Sequence, residues 1–237
     1  MLCRLADQLS NKHRWERRPE QVRRHELTTP KAVIFDIGRV IVRLDPKRAL
    51  APLASALGQG GARSPKAISG EEAWELIVSD ERWQDWQEGR IPPDEWHQHV
   101  MRRLKLSLTF QEFRDAWNRV LDPDLILRET VFARLADSCR LALLSNTDPI
   151  HAACLEERFT FGRHFPVRIY SCSVGACKPS SAIYRGTLEA LGVCAEEALY
   201  IDDVQEFVRA ARDMGLDAIQ FRSPELLDQE LARRNLP

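Results

Sequence analysis

Short apolar runs that recur along the chain, each ending on a polar residue, constrain the fold more than any other feature. The first is "KAVIF" (31–35), followed by "CRLALLS" (139–145), "ALYID" (198–202) and "DAIQF" (217–221), with "RIYS" (168–171) as a weaker member. β-Branched runs of this length read as buried strands. Helical patterns separate the later ones, at 148–158, at 180–191 after "KPSS", and at 205–214 before Gly215. Strands that alternate with helices need crossover connections, so the expectation is an α/β fold around a mostly parallel sheet covered on both faces. A chain of 237 residues that is 44% hydrophobic has apolar material enough for such a core.

The stretch from Pro46 to Leu121 has a different texture. It carries five of the six tryptophans and sets apolar residues at helical spacing, as in "EEAWELIV", "PDEWHQHVMRRL" and "TFQEFRDAWNRVL". No convincing strand is read there. The expected organisation is a polar N-terminal extension (1–30), an α/β core (31–45 and 122–237), and an inserted helical cap (46–121) above the carboxyl ends of the strands, where open α/β sheets bind ligands. The extension, with "RWERRPEQVRRHEL", is read as a solvated face with a helix around Arg14 to Arg24.

A formal net charge of -1 gives no general attraction to nucleic acid or to a membrane surface, so neither is expected as a partner. No apolar segment reaches the about 18 residues that span a bilayer, and the first thirty residues lack a signal-peptide core. The six cysteines are scattered, with no CxxC pair. Reduced thiols and a cytoplasmic location are expected. Cys172 and Cys177 lie close in sequence, but nothing obviously basic or helical lowers either thiol pKa. Oligomeric state is not readable from the sequence.

Each strand hands over to chemistry at its carboxyl end. Asp36 follows the first, Ser145 and Asn146 close the second, Asp202 and Asp203 close "ALYI", and Lys178 lies at the start of the helix between the weaker strand and that acidic pair. Taken singly, these are ordinary turn and capping residues. Together, three carboxylates converging in one crevice would raise one another's pKa values unless a cation were present. Mg2+ resolves the conflict, being a hard cation held by carboxylates, water and phosphate oxygens. Lys178, Ser145 and helix amides would then offer donors to a phosphate group, the small-molecule partner this pattern predicts.

With these residues in place, the chain resembles the haloacid dehalogenase-like hydrolases. "VIFDIG" matches the motif that carries their nucleophilic aspartate (Asp36), "LALLSNTD" their strand-ending serine or threonine (Ser145), "CKPSSAIYRGTLEALGV" their lysine (Lys178), and "LYIDDVQEFVRAARDMGLDAIQF" their acidic pair (Asp202 and Asp203). The four occur in order over about residues 31–223. Within the family the chain is similar to the bacterial sugar-phosphate phosphatases of the α-D-glucose-1-phosphate phosphatase branch, which share "FDIG". The resemblance implies a Rossmann-like core with a cap and a phosphatase acting through an aspartyl-phosphate on Asp36. It also implies magnesium held by Asp36, the Gly38 carbonyl and the acidic pair at 202 and 203, phosphate held by Ser145, Asn146 and Lys178, and Lys178 as orienter of Asp36.

Three positions depart from the pattern. Gly38 stands where most of these phosphatases place a second aspartate, the general acid; Arg39 stands where a small or amide residue is usual; Phe207 replaces an Asp or Asn that supports the metal. Arg39 either clamps a substrate anion or points to the cap. In the cap, Trp83, Trp86, Glu88 and Arg90 are the candidates to touch substrate. His97 and His99 sit two apart on a helix and face different sides, so they are not read as a metal pair. Two alternatives remain open: a hydrolytic 2-haloacid dehalogenase using the same aspartate without metal, and a catalytically weakened member kept for binding.

Overall fold

The structure, a computed structural model, describes residues 29–48 and 70–237. Almost all of the expected N-terminal extension, its helix around Arg14 to Arg24, and residues 49–69 of the expected cap lie outside them. The core is a five-stranded parallel sheet in the order β5-β4-β1-β6-β7, formed by β1 (Ala32–Phe35), β4 (Arg140–Ser145), β5 (Val167–Tyr170), β6 (Ala198–Asp202) and β7 (Asp217–Gln220). β1 is the middle strand, in register with β4 on one side and β6 on the other. Its position explains its composition. All four of its residues are buried, which a strand packed on both faces requires.

Successive side chains of β1 serve opposite layers, as the two-residue period of a strand dictates. Val33 and Phe35 join one apolar cluster, while Ala32 and Ile34 join the other. On the first side Phe35 meets Phe132 and Phe165 edge-on, with ring centroids 5.5 and 5.8 Å apart. Phe132 comes from α5 (Glu129–Ala136). On the other side the sheet is covered by α8 (Ser181–Leu191) and α9 (Gln205–Asp213), whose Tyr184, Leu188 and Val208 meet Ile34 and Tyr200. The chain leaves β1 for β4 and β5 on one flank and then returns to β6 and β7 on the other. That reversal places a crevice at the carboxyl end of β1, directly beyond Phe35.

Between β2 (Val42–Leu44) and β3 (Leu121–Leu125) run α1 (Gly70–Val78), α2 (Trp83–Gln87), α3 (Pro93–Leu104) and α4 (Phe110–Asn118). Local signals set their ends. α3 opens on Pro93 with Asp94 and Glu95 in its first turn and closes with Arg102 and Arg103, in keeping with the helix dipole. α4 opens on a reciprocal cap, in which the Glu112 amide donates to Thr109 Oγ1 and the Thr109 amide to Glu112 Oε2. The tryptophans pack the helices together: Trp86 stacks on Trp96 with centroids 5.4 Å apart.

Where these helices meet the core, they land on segments that follow the carboxyl ends of β4 and β5. Gly89, just past α2, has φ +70°, and a β-carbon there would lie 2.1 Å from the Cys172 carbonyl oxygen. Only glycine lets the backbones approach so closely. Cys172 lies in α7 (Ser171–Val174), which follows β5. The antiparallel β2–β3 ribbon at the base of the insertion is an addition to the sequence reading. β3 begins at Leu121, the last residue of the stretch read as strand-free, and its sequence "LDPDL" carries a proline and two aspartates, so no alternating pattern announces it. Among the described residues no helix is long and apolar enough to cross a membrane.

Phe35→Ala should cost about 3–5 kcal/mol, the range for deleting a buried aromatic side chain. Equilibrium urea unfolding checks this; a loss under about 1 kcal/mol would mean that Phe35 is not a central packing residue.

Candidate active site

The amide of Asp36 donates to the Ile201 carbonyl (2.9 Å), so the residue continues the β1–β6 ladder while its side chain enters the crevice. There its Oδ1 accepts from Lys178 Nζ at 2.6 Å. The same ammonium donates to Asp202 Oδ2 (2.8 Å) and to the Leu144 carbonyl (3.1 Å), so its three hydrogens all have acceptors and its direction is fixed. Asp202 is wholly enclosed: Oδ1 accepts from the Val204 amide at 2.8 Å and Oδ2 also accepts from the Tyr200 hydroxyl. Phe207, expected to be a missing metal support, instead places its ring 5.1 Å from Lys178 Nζ. An aromatic face at that distance attracts the ammonium.

Lys178 lies in the turn before α8, which begins at Ser181 under a Ser180 cap, so its expected place at a helix start is corrected. What orients it is Asn146. The Asn146 side chain accepts from the Lys178 amide (2.7 Å) and donates to the Lys178 carbonyl (3.0 Å). Its oxygen and one of its two amide hydrogens are thereby given to the Lys178 backbone, and the second amide hydrogen remains for the expected phosphate contact.

Asp36, Asp202 and Asp203 each offer an oxygen within 4.8 Å of the others, the one such donor set found among the described residues. Burial raises the Asp36 pKa to about 7, helped by the charges of Asp202 and Asp203, while Lys178 opposes the rise. Asp203 is raised by burial and by Asp202, with Arg39 opposing. Burial works against the Lys178 ammonium, but Asp36 and Asp202 outweigh it and hold its pKa above the ordinary value. Three carboxylates against one buried ammonium is the charge balance that a hard divalent cation corrects.

Above Gly38 and Ser145 lies a cavity of about 130 Å³ whose walls include Ile37, Leu44, Trp74, Trp83, Gln87 and His151. Trp83, a predicted substrate contact, is therefore beside the site. Trp86 is not: it is fully buried against Trp96, which corrects its assignment to the substrate. Glu88 and Arg90, the other two cap candidates, form an ion pair, with Arg90 further bonded to Asp85 at 2.7 Å. Arg39 sits at φ 59° and reaches Asp203 Oδ2 at 3.5 Å with most of its side chain exposed. His97 bonds the Leu108 carbonyl and His99 bonds Asp80, in line with their reading as a non-pair. Cys172 and Cys177 are free thiols, and burial pushes both pKa values up, Cys172 to about 11.

Sequence reasoning missed several residues here. Tyr200 braces Asp202, and Ser171 Oγ accepts from the Thr147 amide (2.9 Å) while lying 2.7 Å from the Gln87 carbonyl, so one hydroxyl joins the β4 loop to α2. Asp148, at the end of that loop, and His151, in the first turn of the helix that follows it, form a buried pair. The pattern "SNTDPIH" held a signal for the last two, since an Asp N-cap followed three residues later by His puts both on one face.

The raised Asp36 pKa sets a stability profile for metal-free protein. The unfolded chain ionises this carboxyl near 3.8, the folded one near 7, so the folded state binds the extra proton between those values and loses stability as pH rises through them. Asp36→Asn in chelator should therefore match wild type below about pH 4 and exceed it by about 1–4 kcal/mol above pH 7. Urea midpoints across pH 4–8 check this; a constant difference would mean the carboxyl is not strained.

A family model described as haloacid dehalogenase-like hydrolase matches residues 30–215. The chain is 25% identical over 210 residues to D-ribitol-5-phosphate phosphatase of Bacteroides thetaiotaomicron, covering 85% of this chain and 96% of that protein. Its fold superposes on the HAD family enzyme bt-2542 of the same organism, in complex with magnesium and inorganic phosphate, with TM-score 0.68, 20% identity, and 82% and 96% of the two chains covered. It also superposes on L-2-haloacid dehalogenase of Xanthobacter autotrophicus, with TM-score 0.56, 22% identity, and coverage of 86% and 82%. With a family model over most of its length and four motifs gathered at one end of one sheet, this chain belongs to the haloacid dehalogenase-like hydrolases.

Proposed function

We propose that the protein is a magnesium-dependent phosphatase of small phosphorylated metabolites. The observation that carries the reading is the Asp36–Lys178 contact beside Asp203: a carboxylate held at one oxygen by a fixed ammonium, next to a second carboxylate. The similarity to D-ribitol-5-phosphate phosphatase supports the phosphate ester, and the sugar-phosphate class with it.

Magnesium, when bound, would neutralise charge on the transferring phosphoryl group and on its nucleophile. The residues that fit it are Asp36, the Gly38 carbonyl and Asp203. Asp202 fits less well, because its oxygens already accept three hydrogen bonds; it anchors Lys178. Asp36 attacks phosphorus through the oxygen not bonded to Lys178, expels the alkoxide, and forms an aspartyl-phosphate that water then hydrolyses. Lys178 orients Asp36 and offsets phosphate charge, and Ser145 with the main-chain amides after it receives phosphate oxygens. The helices between β2 and β3 act as a cap, and their cavity receives the leaving group. Its size suits a compact leaving group, such as a short polyol or a sugar, and its indole walls suit C–H faces.

Phosphate release from a panel of sugar and polyol phosphates tests this. Turnover should require magnesium, vanish in chelator, and fall at least about 10³-fold in Asp36→Asn. Halide release from a 2-haloacid in chelator would instead favour the dehalogenase reading, in which the second and third carboxylates have no use.

Arg39 gives the weakened-member reading one specific support, because its guanidinium competes for Asp203. The pair is exposed and worth under about 1 kcal/mol. Arg39→Ala should accordingly lower the magnesium concentration for half-maximal activity by about two- to fivefold; an unchanged or higher requirement would show that Arg39 serves the substrate instead.

A further inference from the structure

We infer that Trp117, Asp148 and His151 form a positioning unit that locks the aromatic wall of the leaving-group cavity onto the loop that follows Ser145. The inference rests on the phosphatase reading of that cavity. Asp148 ends the β4 loop and caps α6 (Pro149–Arg158), its Oδ1 accepting from the Ile150 and His151 amides at 2.9 and 3.0 Å. Its other oxygen accepts from Trp117 Nε1 of α4 (3.0 Å) and meets His151 Nδ1 at 2.7 Å. His151 Nε2 then reaches the Trp117 carbonyl at 3.0 Å, and the two rings stack with centroids 5.3 Å apart and planes at 14°.

The indole is thus held by its N–H and by its face, while the main-chain carbonyl of Trp117 anchors the His151 ring, so the indole cannot rotate without losing both of its contacts. All three residues are at least nine-tenths buried, so water offers no replacement partners. Trp117 in turn touches Trp74 and Trp83, with centroids 5.4 and 6.2 Å away, and these two line the cavity above Gly38 and Ser145. A displacement of Trp117 therefore moves the wall against the phosphate-facing loop, and placement errors of that kind cost rate steeply.

The hydrogen-bond pattern also fixes the protonation state. Both ring nitrogens of His151 face acceptors only, a carboxylate and a carbonyl, so the ring carries two protons and Asp148 is its counter-ion. Burial opposes both charges, yet each partner outweighs it: His151 titrates above its ordinary value and Asp148 below. Among the described residues the Cys172 thiol on α7 also lies near Asp148, and burial pushes its pKa up to about 11.

The test compares wild type, His151→Phe and Trp117→Phe with magnesium on glycerol 3-phosphate, which needs the cavity wall, and p-nitrophenyl phosphate, whose leaving group departs unaided. Trp117→Phe keeps an aromatic ring beside His151 and removes the N–H together with the five-membered ring, so the two variants disturb the unit from opposite sides and circular dichroism of each checks that it folds. Both variants should lose about tenfold more kcat/KM on the polyol ester than on the aryl ester, mainly through KM, with phosphate inhibition unchanged. A loss of folded protein alone lowers kcat for both esters equally, so an unchanged ratio would overturn the unit. Wild-type turnover on neither ester overturns the phosphatase reading and this inference with it. Nitrogen-15 NMR of the histidine rings at pH 8 reads the unit without turnover: one doubly protonated, slowly exchanging ring is expected, and no such ring would overturn it.

Discussion

Everything at the carboxyl end of the sheet depends on one buried ammonium. Lys178 is enclosed, and a lone charge there would be untenable; Asp36 and Asp202 make it tolerable, and it makes them tolerable. Burial pushes Asp36 up to about 7, and the cluster's excess of carboxylate over ammonium, once Asp203 is counted, adds to the rise. Neighbouring structure is spent on holding this arrangement. Asn146 clamps the Lys178 backbone, Tyr200 and the Val204 amide brace Asp202, and the Phe207 ring lies against the ammonium. A fold that merely needed stability would replace such a cluster with apolar side chains. Its persistence at a strand-end crevice fits a site kept electrostatically strained for a cation and a phosphoryl group.

The second constraint is the junction between the inserted helices and the core. Among the described residues three contacts stand out in it: the Gly89 backbone against Cys172, Ser171 between Thr147 and Gln87, and Trp117 on the Asp148–His151 pair. Two of the three end on the loop after β4. The loop that would hold phosphate and the wall that would hold the leaving group are therefore parts of one packed body, and a change in either is transmitted to the other.

What was legible in the sequence follows from the range over which each signal acts. The strands were legible because burial on both faces leaves short β-branched runs, and the strand-end residues Asp36, Ser145, Asp202 and Asp203 because position relative to a strand is a local property; Lys178, in a turn well past β5, was legible only through its motif. β3 was not, since Pro123 and two aspartates break the pattern. Roles set by distant partners were also hidden. Phe207 read as an absent metal support, but its use is decided by Lys178 from another element. Trp83 and Trp86 read alike as substrate contacts, and only the stacking of Trp86 on Trp96 separates a core ring from a cavity wall. Asp148 and His151 gain meaning from Trp117, more than thirty residues away.

Gly38 joins these threads. A β-carbon at this position would lie 3.0 Å from Leu44 Cδ1, so Leu44 already occupies the room that a side chain would use. Leu44 is also part of the cavity wall. Gly38 supplies no proton donor here, and the apolar Leu44 is the contact surface beside it in the cavity wall. Under the phosphatase reading, the leaving oxygen departs without the aid of a carboxylic acid at this position, a contribution typically of about 10²–10⁴-fold. Turnover must then come from a leaving group that needs little protonation, such as an anomeric oxygen, or from accurate placement of the ester between the β4 loop and the indole wall. The buried clamp on Trp117 supplies the second of these, because it fixes the indole wall to the loop that would hold the phosphate.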